Sequence, residues 1–115
     1  MGSCKQGDVV KVPFPYTDRA TRQFRPALVV SRGGIEDVHG LAWVLMITSA
    51  ENKGWPGDEP VGDLAAAGLP AASVIRTAKI ATIEASDTTR LGTISPALLK
   101  RVLTRVGSEL GIGGR

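Results

Sequence analysis

Two apolar runs constrain this chain more than anything else in it. Pro26 to Ser31 and Leu41 to Thr48 are almost without charge and are rich in β-branched residues. A strand that leaves one face in water alternates apolar and polar residues. These runs do not alternate, as expected of strands covered on both faces. They predict the centre of a sheet, and the rest of the chain must supply its edges and cover.

The flanking segments supply both. Residues 7–13 read as a first strand ended by Pro13 and Pro15, which cannot donate to a ladder. Residues 16–24 read as a polar, Arg-rich loop, and Gly33-Gly34 as a break before the third strand. Residues 50–60, with Asn52, Gly54, Pro56, Gly57 and Pro60, predict a long exposed loop. Asp63 to Gly68 suits one helical turn with Gly68 as its stop. Ala72 to Arg76 and Lys79 to Glu84 predict two short strands separated by Thr77-Ala78. In the second, Ile80, Thr82 and Glu84 alternate with Ala81 and Ile83, which suits one wetted face. Ser95-Pro96 then supplies an N-cap and a proline at the first helical position. The helix that follows sets Leu98, Leu99, Val102, Leu103, Val106 and Leu110 on one face and stops at Gly111. Strands first and one amphipathic helix last exclude an interleaved parallel sheet. The economical fold is mainly β with α: a small, strongly bent antiparallel sheet or barrel with the helix packed on it.

Composition narrows the function. A length of 115 residues suits one domain, and 43% apolar with 22% charged residues argues against disorder of the whole chain. No apolar run reaches the roughly 18–20 residues needed to span a bilayer. Met1 to Lys5 lacks the apolar core of a signal peptide, so a cytoplasmic protein is expected. Cys4 is the single cysteine and His39 the single histidine. His39 lies in a Gly-rich stretch and is expected to be an exposed loop residue. Neither belongs to a zinc-ligand pattern, and a conventional Ser–His or Cys–His pair has only His39 to call on. Net charge is +3, with Arg19, Arg22, Arg25 and Arg32 crowded into one segment. That local field suits phosphates, and it equally suits an ordinary solvated loop. Trp55, in the middle of a Gly/Pro loop, either packs back as an anchor or meets a ligand such as a nucleobase.

Several fragments, in order, resemble the MazF/PemK toxin family. They are Gly7-Asp8-Val9-Val10, Pro13 to Asp18, Arg25 to Ser31, Ile47-Thr48-Ser49, Ala67-Gly68-Leu69-Pro70, Ser73-Val74-Ile75-Arg76, Lys79 to Ile83 and Leu91-Gly92-Thr93-Ile94, followed by the terminal helix. Each fragment alone is weak, and the ordered set over residues 5–112 is specific. The resemblance implies an SH3-like, CcdB/PemK-like barrel, a homodimer, and a toxin of a type II toxin–antitoxin system held inactive by an acidic antitoxin. The implied activity is sequence-selective cleavage of single-stranded RNA without a metal or other cofactor, leaving 2′,3′-cyclic phosphate and 5′-hydroxyl ends.

The resemblance carries catalytic roles to Arg25 and Thr48. Physically, a planar, always-charged guanidinium can grip a phosphate through two hydrogen bonds, and a hydroxyl at a strand end can be fixed beside it. Arg25 is a natural transition-state clamp and an awkward general base, since a pKa above about 12 leaves almost none of it deprotonated near neutrality. Ser49 adds a second hydroxyl, and Arg19 and Arg22 would hold the RNA backbone. Phe24 and Trp55 are the aromatics available for stacking. Arg76 matches an arginine used by the PemK-like branch. The chain departs from that branch at Ala78, where an acid often stands, and lacks the loop histidine that branch uses. Two other readings stay open: a non-catalytic RNA- or antitoxin-binding module, and a CcdB-like inhibitor of DNA gyrase acting through the terminal helix.

Overall fold

A computed structural model describes residues 4–14, 23–52 and 54–112. In chain order the strands are β1 (Asp8–Phe14), β2 (Gln23–Val29), β3 (Leu41–Ser49), β4 (Glu59–Pro60), β5 (Ser73–Glu84) and β6 (Thr89–Thr93). The helices are α1 (Gly33–His39), α2 (Leu64–Ala67) and α3 (Pro96–Leu110). The strands form one antiparallel sheet in the order β4-β5-β3-β2-β1-β6, curled into a half-barrel. The two apolar runs, as β2 and β3, hold its centre.

Both faces of that centre are covered. Leu28, Leu45 and Ile47 pack with Val9 and Ile75 beneath Leu98 and Val102 of α3. Their strand neighbours Ala27, Val29, Val44 and Met46 point the other way, against Val10, Val12, Ala85 and Cys4. Burial pushes the Cys4 thiol above its ordinary pKa. The terminal helix is capped as read from sequence: Ser95 Oγ accepts from Leu98 N at 3.1 Å, and Gly111 closes it in the left-handed region at φ 76°. Its apolar face leaves the core at the last turn, where Leu110 is 65% exposed.

Five expectations are corrected. Gly33-Gly34 is no break: it opens α1, whose Glu36 Oε1 accepts from Cys4 N at 2.9 Å and whose chain reverses at Gly40. His39 is therefore exposed on the last turn of a helix, not in a loop. The two short strands flanking Thr77-Ala78 are one strand, β5. Leu45 pairs with Ile80 and Met46 with Arg76, so residues 77–79 are taken up as a bulge where the sheet bends. Phe24, expected at the end of the preceding loop, stands inside β2 beside Arg25, the two paired with Pro13 and Val12. Glu59–Pro60, expected to be loop, pairs with Ile75 and Val74 as the edge strand β4. The other edge, β6, carries Thr89-Arg90-Leu91-Gly92-Thr93, in which a single large apolar residue gives no strand signal.

At that edge α2 lies directly on β6. Asp63 Oδ1 caps α2 by accepting from Ala66 N at 3.0 Å, and Gly68 ends it at φ 73°. A Cβ placed on Gly92 would stand 2.2 Å from Ala66 O, a backbone atom with nowhere to retreat. Gly92→Ala should therefore lower stability by about 3 kcal/mol, the upper range for overpacking. Urea unfolding checks this: a lower midpoint at unchanged slope is expected.

Candidate active site

Ala27 pairs with Met46 and Leu28 with Leu45. Two residues further along the same register, Arg25 comes opposite Thr48, where β2 and β3 run out of the sheet centre. Both side chains line one cleft of about 530 Å³. Its walls are Phe24 to Pro26, Ile47 to Ser49, Asn52, and the segment Leu69 to Ser73 that leads from α2 into β5. Among the described lining residues Arg25 is the one charged side chain, accompanied by the hydroxyls of Thr48, Ser49 and Ser73. The Nε atom of Arg25 is buried, so the guanidinium stem is held by the strand. Among the described lining residues a cation stands with hydroxyls and no carboxylate, a set of groups suited to an anion.

The turn after β3 is tied to its own strand. Glu51 N donates to Ser49 Oγ and Asn52 N to Ser49 O, each at 3.1 Å, and Asn52 Nδ2 donates to Thr48 Oγ1. Phe24 is 56% exposed at the cleft wall, with the Lys11 ammonium 5.6 Å from its ring centroid. Arg19 and Arg22, expected on the backbone-holding loop, lie outside the described residues.

Arg76 and Trp55 are brought together, but not into the cleft. Arg76 is buried and donates from Nε and Nη2 to the two carboxylate oxygens of Asp58, at 3.2 and 3.0 Å. The Trp55 ring covers its guanidinium at 4.2 Å. Asp58 Oδ2 also accepts from Trp55 N at 3.0 Å, and Thr77 Oγ1 donates to Gly57 O at 2.8 Å. The loop is thus stapled to the bulge of β5, with Trp55 as the anchor. The acid that Arg76 engages is Asp58, eighteen residues before it in the chain. Asp58 and Asn52 were both missed in sequence, where they read only as turn residues of a Gly/Pro loop. Among the described residues, no cluster of three His, Cys, Asp or Glu side chains is arranged to hold a metal ion.

The Arg76 hydrogen bonds hold the Asp58 carboxyl below its ordinary pKa of 3.8. A lowered carboxylate pKa stabilises the fold above the unfolded value, and this contribution is lost as pH falls through the folded value. The stability gap between the wild type and Asp58→Asn should be constant above about pH 5 and shrink below about pH 4. Urea midpoints measured across that range check this. Arg76→Ala, which strands the carboxylate, should cost about 3 kcal/mol near neutrality.

A curled antiparallel half-barrel with a C-terminal helix is the architecture of a class of small toxins. A family model described as PemK-like, MazF-like toxin of type II toxin–antitoxin system matches residues 5–110, and the chain belongs to that family. Among solved structures, the fold is similar to a MazE–MazF complex from Deinococcus radiodurans, with TM-score 0.75 and 26% identity over 96% of this chain and 98% of that one. It is similar to an endoribonuclease in complex with its cognate antitoxin from a mycobacterial species, with TM-score 0.75 and 18% identity over 98% and 100% of the two chains. It is also similar to the Mycobacterium tuberculosis toxin MazF-mt6, with TM-score 0.70 and 18% identity over 90% and 96%. No curated protein sequence matches the chain. No helix among the described residues is long and apolar enough to cross a membrane.

Proposed function

We propose that this toxin is a metal-independent endoribonuclease that cuts single-stranded RNA at the Arg25–Thr48 cleft. The observation that carries the reading is the meeting of these two side chains, 23 positions apart in sequence, in one cleft whose described lining holds no other charge. In the reaction the 2′-oxygen loses its proton and bonds to phosphorus, the bond from phosphorus to the 5′-oxygen breaks, and that oxygen takes a proton. The products are a 2′,3′-cyclic phosphate and a 5′-hydroxyl. Charge accumulates on the phosphorane, where the Arg25 fork stabilises it most strongly. Thr48 donates its hydroxyl proton to a phosphate oxygen. Ser49 Oγ accepts from Glu51 N, which leaves its own proton for a second such contact. The exposed Phe24 ring offers a stacking surface for an unpaired base, and Arg19 and Arg22 hold the backbone. Arg76 and Trp55 enter as supports of the loop, since they engage Asp58 and each other.

An acidic antitoxin is the expected partner: a disordered acidic segment would order across the cleft and exclude RNA. Antitoxin complexes among the similar structures support this. A homodimer is also proposed. Trp43, Ile80, Leu110 and Ile112 are exposed and line a hollow of about 850 Å³ between β3, β5 and α3, an apolar surface suited to a second copy. Leu110→Glu should yield a monomer in sedimentation analysis.

Incubation with a long unstructured RNA in EDTA, with mapping of the fragment ends, tests the activity. Discrete cuts ending in cyclic phosphate are expected. Arg25→Ala should reduce cleavage by about hundredfold or more and abolish growth arrest at unchanged melting temperature. Toxicity that survives Arg25→Ala would sink the ribonuclease reading, and loss of cleavage under chelation would refute its metal-free form.

A further inference from the structure

The chemistry above leaves Asn52, a polar side chain of the cleft wall, without a task. Asn52 reaches back from the turn after β3 and donates from Nδ2 to Thr48 Oγ1. Its own backbone N–H is fixed on Ser49 O at 3.1 Å, so the amide is presented by an ordered turn. The far end of the same loop is fastened by Arg76 and Asp58 and covered by Trp55.

We propose that Asn52 is a positioning residue that turns the Thr48 hydroxyl into a hydrogen-bond donor facing the cleft; this rests on the ribonuclease reading. A hydroxyl has one proton and two lone pairs. With one lone pair of Oγ1 occupied by the Asn52 amide, the O–H bond must point elsewhere, and the cleft with Arg25 is the open side. Thr48 is thereby oriented to donate to a phosphate oxygen as charge develops there. It is also disfavoured as a base, since its oxygen already accepts a bond. The arrangement accounts for a polar side chain at the rim of the cleft that carries no charge: an acid at 52 would accept the hydroxyl proton and repel phosphate. Among the described lining residues, Asn52 supplies the one side-chain amide.

The effect is directional, so it belongs in the chemical step. Asn52→Ala should lower kcat about tenfold, the worth of one well-aligned hydrogen bond, while KM and the melting temperature stay unchanged. Asn52→Asp should be at least as impaired. Thr48 is β-branched and restricted in its rotamers, whereas serine is freer to turn. Asn52→Ala should therefore cost severalfold more in a Thr48→Ser background than alone, a coupling that a merely structural residue would not show.

The measurement uses an RNA oligonucleotide carrying the mapped cut site, with kcat and KM determined for the unsubstituted protein, the two position-52 variants, Thr48→Ser and the double variant. A kcat loss coupled to position 48 establishes the role. Full activity in Asn52→Ala, a loss confined to KM, or strict additivity with Thr48→Ser overturns it while the ribonuclease reading stands. No cleavage by the unsubstituted protein overturns that reading, and this role with it.

Discussion

The structure depends on the pairing of β2 with β3, covered on both sides. The side chains of that pair feed two separate apolar layers. A strand buried on two faces cannot slip by one residue, because slippage would exchange the two layers at every position. Register is therefore set where the apolar cost of error is greatest. The same register, carried two residues beyond the last paired position, places Arg25 against Thr48. The rigidity of the core is delivered to the cleft through the backbone.

The cleft lies where that protection ends. Beyond Ala27 and Ile47 the strands leave the apolar layers, and Arg25, Thr48 and Ser49 are at least partly open to solvent. The neighbouring loop is the weak point, rich in Gly and Pro with little apolar area of its own. It is fastened by polar means: a two-pronged Arg76–Asp58 pair under the Trp55 ring, and a hydroxyl contact from Thr77. Such a pair stabilises less than an apolar contact of the same size, but it fixes geometry. It thereby fixes a loop that contributes Asn52 to the cleft wall. Membership of the PemK-like, MazF-like family places this geometry in a toxin.

Much of the fold was legible in sequence. The central strands, the capped terminal helix and the turn at Asp63–Gly68 each carry a local signal: an unbroken apolar run, a Ser-Pro start, a Gly stop. Elements without such a signal were missed or divided. α1 buries no side chain, so no periodicity marked it. β6 is an edge held by pairing and by the close approach of α2 at Gly92. The bulge in β5 reads as a break because its three extra residues obey the curvature of the sheet, not a local preference. Arg25 and Thr48 were named through the resemblance, and both line one cleft. Asp58 and Asn52 were not, since their partners lie across the fold or around a turn.

The sequence by itself determined which segments must be buried, where the last helix starts and stops, and which residue types were available for the chemistry. Those properties follow from local periodicity and capping, which act over a few residues. Tertiary structure alone decided the surroundings of each arginine. Arg25 and Arg76 are both strand residues of equal charge. One comes to the open end of the sheet centre beside hydroxyls, the other under an indole against a carboxylate. The difference is made by neighbours distant in sequence, and a charge acquires its function only from the groups that surround it.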